Sequence, residues 1–345
     1  MRFTIMLKQK RSSIILKFFS SVSILFVFSC TNPSGPETTV AKPETTVAIP
    51  ETTVAKWVEV GNAGFSAGMA PHTSLAFDSS DNPYVAYQDS GNSYKATVMM
   101  FDGSSWVKVG NAGFSAGGAN YTSLAFDSSD NPYVAYQDYG NSDKATVMMF
   151  DGSSWVNVGN AGFSAGAAPN TSFAFDSSDT PYVAYLDRDS GNSSKVMVMM
   201  FDGSSWVDVG SAGEAADTSL AFDSSDTPYV AYRDSGNSYK ATVVMLEGSS
   251  WVNEGNAGFS AGKVANISLA FDSSDTPYVA YFDYENSDKV TVMMFDGSSW
   301  VNVGNAGFSA GRAEYISLAF DSSDTPYVAY KDSGNSGKVT VMKYE

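Results

Sequence analysis

From Trp57 to the C-terminus, apolar residues arrive in short dense runs separated by clusters of Gly, Asp, Asn and Ser. In the first complete unit the runs are Thr73-Ser-Leu-Ala-Phe, Pro83-Tyr-Val-Ala-Tyr, Ala96-Thr-Val-Met-Met-Phe and Trp106-Val-Lys-Val. Their β-branched and aromatic content, and the turn residues that bound them, predict four short strands. The links Asp78-Ser-Ser-Asp-Asn-Pro, Asp89-Ser-Gly-Asn-Ser and Asp102-Gly-Ser-Ser carry side chains that close turns on their own backbone. Apolar spacing of three and four with helix caps is absent from these units, so essentially no helix is expected there.

The unit recurs six times, with tryptophans at 57, 106, 155, 206, 251 and 300, at intervals of 49, 49, 51, 45 and 49 residues. A period of this length and regularity governs the fold. The first three runs of each unit are apolar on both faces, which a sheet tolerates only when it is covered on both sides. The fourth run has a polar third residue in every copy (Glu59, Lys108, Asn157, Asp208, Asn253, Asn302), as expected of an outermost strand with one wet side. Antiparallel four-stranded units stacked around an axis are the blades of an all-β propeller, and six units predict six blades. The repeat region opens with a lone fourth strand, Trp57-Val-Glu-Val, and finishes with a third, Val339-Thr-Val-Met-Lys-Tyr. Pairing these two closes a ring. A linear stack would instead leave an open edge at each end.

Residues 1–29 are read as a secretory signal: a basic stretch to Lys17, then an apolar run from Phe18 to Phe28 too short to span a bilayer stably. The run ends in Val27-Phe28-Ser29-Cys30, and Cys30 is the only cysteine. This resembles the lipobox of bacterial lipoproteins, with a branched aliphatic at −3, a small residue at −1 and the cysteine that becomes lipidated. The resemblance implies membrane attachment through Cys30, and Thr31 in place of Asp implies outer-membrane delivery in a cell that has one. The alternative is an ordinary signal peptide with an incidental cysteine. Residues 30–56 hold three copies of a Pro-Glu-Thr-Thr-Val-Ala unit beginning at Pro36, Pro43 and Pro50. Proline in each copy excludes a coiled coil and favours an extended tether, reaching roughly 80 Å at about 3.1 Å per residue. The propeller is assigned to 57–345.

The formal charge is −17, and without the five basic residues of the first 29, 15 basic residues face 37 acidic ones. Such a surface repels nucleic acid and keeps a protein soluble, so no nucleic-acid partner and a monomer are expected. His72 is the single histidine, which leaves no second histidine for a metal cluster or a nucleophilic triad. It is expected to be a lone loop residue. The repeated acids, Asp78 and Asp81 with their counterparts and the set beginning at Asp89, are expected to cap their own turns, with calcium coordination as the alternative. No metal or cofactor is assigned. The tryptophans and the tyrosines equivalent to Tyr84 and Tyr87 are placed in the core between blades.

Leu75-Ala-Phe-Asp-Ser-Ser-Asp-Asn-Pro-Tyr-Val-Ala-Tyr resembles the core of NHL-type bacterial propeller repeats, and Met100-Phe-Asp-Gly-Ser-Ser-Trp resembles the kelch segment. The latter is also similar to the sialidase Asp-box, one residue shorter. These resemblances imply a propeller and fix no activity.

Substitutions between copies gather after the Gly-Phe-Ser-Ala-Gly motif, in Met69-Ala-Pro-His, Gly118-Ala-Asn-Tyr and Arg312-Ala-Glu-Tyr for example, and after strand two. Both loop sets open on one propeller face. Arg188, Arg233, Arg312, Lys331, Tyr121 and Tyr315 are therefore the candidate ligand contacts, with relaxed drift of exposed loops as the alternative. The expected function is a non-catalytic, extracytoplasmic binding or scaffold module for a protein or glycan. The alternatives are a glycan-cleaving, sialidase-like enzyme or a purely structural surface protein. The enzyme would need an acid pair or Tyr–acid pair that breaks the sixfold pattern inside the funnel, and none is expected.

Overall fold

The structure is a computed structural model that describes residues 55–345 apart from 188–194, 215, 249 and the side chains of 212–214. The predicted signal, Cys30, all but the last two tether residues and Arg188 lie outside the described residues. The described chain forms six four-stranded antiparallel sheets. Strand β1 (Trp57–Glu59) stands apart from the first blade, whose strands run inside to outside as β2 (Ser74–Phe77), β3 (Pro83–Asp89), β4 (Lys95–Phe101) and β5 (Trp106–Lys108). β1 pairs with the final strand, Lys338–Tyr344, in the register Trp57↔Tyr344 and Glu59↔Met342. The ring is closed as the sequence predicts.

The inner strands are joined around the axis by the serine of each Thr/Ile-Ser-Leu/Phe motif. The Leu75 amide donates to Ser317 Oγ, Leu124 to Ser74 and Phe173 to Ser123, and the series continues through Leu318 to Ser268 at 2.8–3.0 Å throughout. Every seam between blades thus has a hydrogen bond where two strands approach with nothing else to pair their amides. Between blades sit six apolar clusters, with Tyr87, Tyr136, Tyr281 and Tyr330 almost wholly buried.

On the face formed by the strand one–two turns, the paired acids divide the work. Asp78 accepts from the amides of Ser80 and Asn82 in its own turn. Asp81, in the left-handed region at φ 61°, reaches back to the preceding blade and accepts from the Ser322 amide at 2.7 Å and from its hydroxyl. The same clamp recurs at all six seams: Ser79 to Asp130, Ser128 to Asp179, Ser177 to Asp226, Ser224 to Asp275 and Ser273 to Asp324. The expectation of local turn capping therefore holds for the first aspartate and is corrected for the second, which staples one blade to the next.

Of the set after strand two, Asp89, Asp138, Asp283 and Asp332 are buried: Asp138 is fully inaccessible and accepts from the Gly140 amide, Asn141 Nδ2 and Thr146 Oγ1. Asp89, Asp138 and Asp332 cap single-turn 3₁₀ helices at Ser90–Asn92, Tyr139–Asn141 and Ser333–Asn335, the only helical turns among the described residues.

Candidate ligand-binding ring at the funnel mouth

The residue immediately before each Thr/Ile-Ser-Leu/Phe motif enters the inner strand with positive φ: His72 56°, Tyr121 51°, Asn170 55°, Asp217 52°, Asn266 48° and Tyr315 53°. A side chain in this region costs roughly 1–2 kcal/mol, least for Asn and Asp. The bulge that imposes it is visible as register shifts between Asn120 and Ser123, Ala265 and Ser268, and Glu314 and Ser317. A bulge re-aims the side chain it displaces. Here it turns one residue per blade into a cavity of about 100 Å³ on the axis, floored by the threonines and isoleucines that follow. That volume holds about three waters, or the end of a ligand lying across the mouth.

His72 sits between Tyr121 and Tyr315, with ring centroids 4.5 and 4.4 Å away and planes tilted by 54° and 57°. Burial, helped by the Lys331 charge, holds its pKa down to about 3, so the imidazole is neutral at physiological pH. Its Nδ1 is buried with no hydrogen-bond partner. Across the ring, burial pushes the Asp217 carboxyl above its ordinary range, with Arg233 and the Asn266 amide pulling it partly back. Arg233 Nε lies 3.6 Å from Asp217 Oδ2, beyond hydrogen-bond reach, and is itself buried and unbonded. Asn266 Oδ1 accepts from the Tyr315 amide at 3.0 Å. A neutral imidazole, two phenols, two amides and one carboxylate therefore face one small space.

Tyr121 and Tyr315, singled out in the sequence, are both in this ring. Arg233 reaches it through Asp217 and stacks at 5.2 Å over Tyr239. Lys331 stands 5.7 Å over the Tyr315 ring and shares Glu314 with Arg312, which also pairs with Asp288. These three cations are paired with Asp217, Glu314 and Asp288 around the rim.

His72 is not the lone loop residue expected, and with Asn170, Asp217 and Asn266 it completes the ring. The signal was a column of chemically diverse residues immediately before the nearly constant Thr/Ile-Ser-Leu/Phe motif. The sixfold pattern inside the funnel is also broken, contrary to expectation, by one acid and two tyrosines. On the opposite mouth the aspartates line depressions of about 470 and 310 Å³ and are engaged in the clamps and turns described above. Among the described residues no cluster of His, Cys, Asp and Glu has a metal-binding arrangement.

No family model matches the chain, and no curated protein matches it in sequence. Among solved structures, a protein of unknown function from Dyadobacter fermentans superposes with a TM-score of 0.64 at 11% identity, covering 84% of this chain and 98% of its own. The SapL1 lectin, in complex with α-methyl fucoside, gives 0.61 at 13% identity over 81% of this chain and 94% of its own. A Trypanosoma rangeli sialidase in complex with sialic acid gives 0.57 at 12% identity, covering 84% of this chain and 58% of the sialidase. The shared feature is the β-propeller fold.

Proposed function

We infer that this chain is a non-catalytic carbohydrate-binding propeller, carried outside the cytoplasm on the 30–56 tether and attached to a membrane through lipidated Cys30. The observation that carries the binding role is the funnel ring. Six equivalent backbone positions hold His, Tyr, Asn, Asp, Asn and Tyr while the residues on their C-terminal side scarcely change. Holding His and Tyr in a left-handed conformation disfavours the fold, so side-chain chemistry outweighs backbone comfort there. Aromatic faces beside amide and carboxylate groups suit a sugar, which presents C–H faces and hydroxyl edges together. The fucoside-bound lectin and the sialic-acid-bound sialidase support a glycan as the ligand class.

The test is a glycan array followed by titration of the hit. Tyr121→Ala combined with Tyr315→Ala is expected to weaken binding about tenfold or more, as loss of two central aromatic contacts does. Equal binding by the double variant would remove the funnel from consideration. The anchor is tested separately: palmitate labelling in a bacterial host is expected for the parent and lost in Cys30→Ser, and labelling that persists in the variant would refute lipidation there.

One observation favours a second role, glycan cleavage: Asp217 and two tyrosines share the cavity. Turnover of a chromogenic glycoside panel that disappears in Asp217→Asn would establish it over binding alone.

A further inference from the structure

The seam between blades three and four differs from the other five. At five seams a phenylalanine from the Gly-Phe-Ser-Ala-Gly connection lies flat on the next blade's tryptophan, with centroids 4.0–4.3 Å apart and planes within 12°. The pairs are Phe65 on Trp106, Phe114 on Trp155, Phe163 on Trp206, Phe259 on Trp300 and Phe308 on Trp57. Each of these indoles also donates its N–H to a backbone carbonyl of the preceding blade's outer segment, at 3.0–3.5 Å. A second ring leans on it from its own blade, such as Phe101 on Trp106 or Tyr344 on Trp57.

Trp251 has none of these partners. The connection after Trp206 is four residues shorter and lacks the phenylalanine. It runs straight on as a nine-residue strand, Trp206–Glu214, where the other outer strands have three or four residues. The second ring is replaced by Leu246. No stacking partner and no hydrogen bond of the indole N–H are found among the described residues. A cavity of about 550 Å³ opens instead, walled by Trp251, Leu246, Val209, Tyr182 and Phe222. Pro228 on its floor is partly exposed, whereas its equivalents in the other five blades are buried.

We propose that this seam is a second ligand pocket, for a small molecule that carries a planar aromatic ring next to a carbonyl oxygen. The other five seams display the complement. The ring takes the place of the missing phenylalanine against the indole, and the carbonyl accepts from Trp251 Nε1 as Val60 and Val109 do from theirs. The volume lies in the range of small-molecule pockets and leaves room for substituents beyond the ring. A sugar is disfavoured because its hydroxyls would meet mostly apolar walls, and the Asp226 carboxylate at the edge is already taken by Ser177.

The test uses N-acetyl-phenylalaninamide titrated into the purified protein, followed by calorimetry and ligand-observed NMR. Saturable one-to-one binding is expected. Trp251→Ala removes both the stacking face and the Nε1–H donor that the ligand requires, and is expected to weaken binding about tenfold or more. A cooperative unfolding transition no more than about 5 °C below that of the parent shows that the variant is folded. The Tyr121→Ala, Tyr315→Ala protein should bind the probe unchanged, which separates this pocket from the funnel. Three outcomes would overturn the assignment: no saturation at tens of millimolar probe, undiminished binding by Trp251→Ala, or equal binding of the cyclohexyl analogue. Methyl α-fucoside occupying the same pocket, detected as binding lost in Trp251→Ala, would replace the aromatic ligand by a sugar.

Discussion

Trp57→Ala is expected to destabilise the protein by about 3–5 kcal/mol, the usual range for emptying a buried tryptophan site. Trp57 is only 9% exposed, stacks on Phe308 at 4.2 Å and donates its indole N–H to the Val303 carbonyl. It also lies in β1, the strand that completes the last blade. The loss therefore falls on a core ring and on ring closure together. A fall in unfolding midpoint on the order of 10 °C is expected. Trp251→Ala is the matched control, because that indole has neither the stacked ring nor the bond, and its cost should be less than half as large. Equal costs for the two would mean that the stack and the closure contribute nothing beyond burial.

Acid should undo the ring collectively. The clamp aspartates 81, 130, 179, 226 and 324 are each held below the ordinary carboxylate range by hydrogen bonds from the preceding blade's serine hydroxyl and amide. In the strand three–four turns, serine amides and hydroxyls hold Asp102, Asp151 and Asp202 down to about 2. A carboxyl group whose pKa is lower in the fold than in the unfolded chain, about 3.9 for Asp, stabilises fully above the unfolded value and loses that effect as pH falls through the folded one. Asp217 and Glu254, which burial pushes upward, act in the opposite sense but are few. The unfolding midpoint should therefore be nearly level above about pH 5 and fall steeply between about pH 4 and pH 2. A midpoint that stays level down to pH 2 would show that the clamps do not hold the blades together.

Much of the architecture was legible because repetition multiplies weak signals. One copy of Trp-Val-Lys-Val is an ambiguous short run, but six copies with a polar third residue mark an outer strand, and the missing fourth strand at the C-terminus marks the closure. The inter-blade bonds were not legible in the same way. Asp78 and Asp81 look alike in sequence, and only the left-handed conformation of Asp81 directs its carboxylate to the neighbouring blade. The funnel ring was half legible. Tyr121 and Tyr315 stood out among variable loop residues, whereas His72, Asn170, Asp217 and Asn266 needed the bulge, since the direction in which a displaced side chain turns is a property of backbone geometry. The vacant seam had left its trace in the shortened fourth copy, but a deleted phenylalanine reads as mere loop shortening until its five counterparts are seen lying on tryptophan.

Lys56 and Glu345 exchange both backbone hydrogen bonds, at 2.6 and 2.9 Å. They stand where Ser105 and Asp102 stand in the first blade, the two ends of the Asp102-Gly-Ser-Ser hairpin. The sixth blade thus has the frame of that hairpin without its two central residues. A Gly-Ser dipeptide joining Glu345 to Lys56 would make the propeller a covalent circle with six like corners, and such a circle could be cut open at any other corner without removing a single strand pairing.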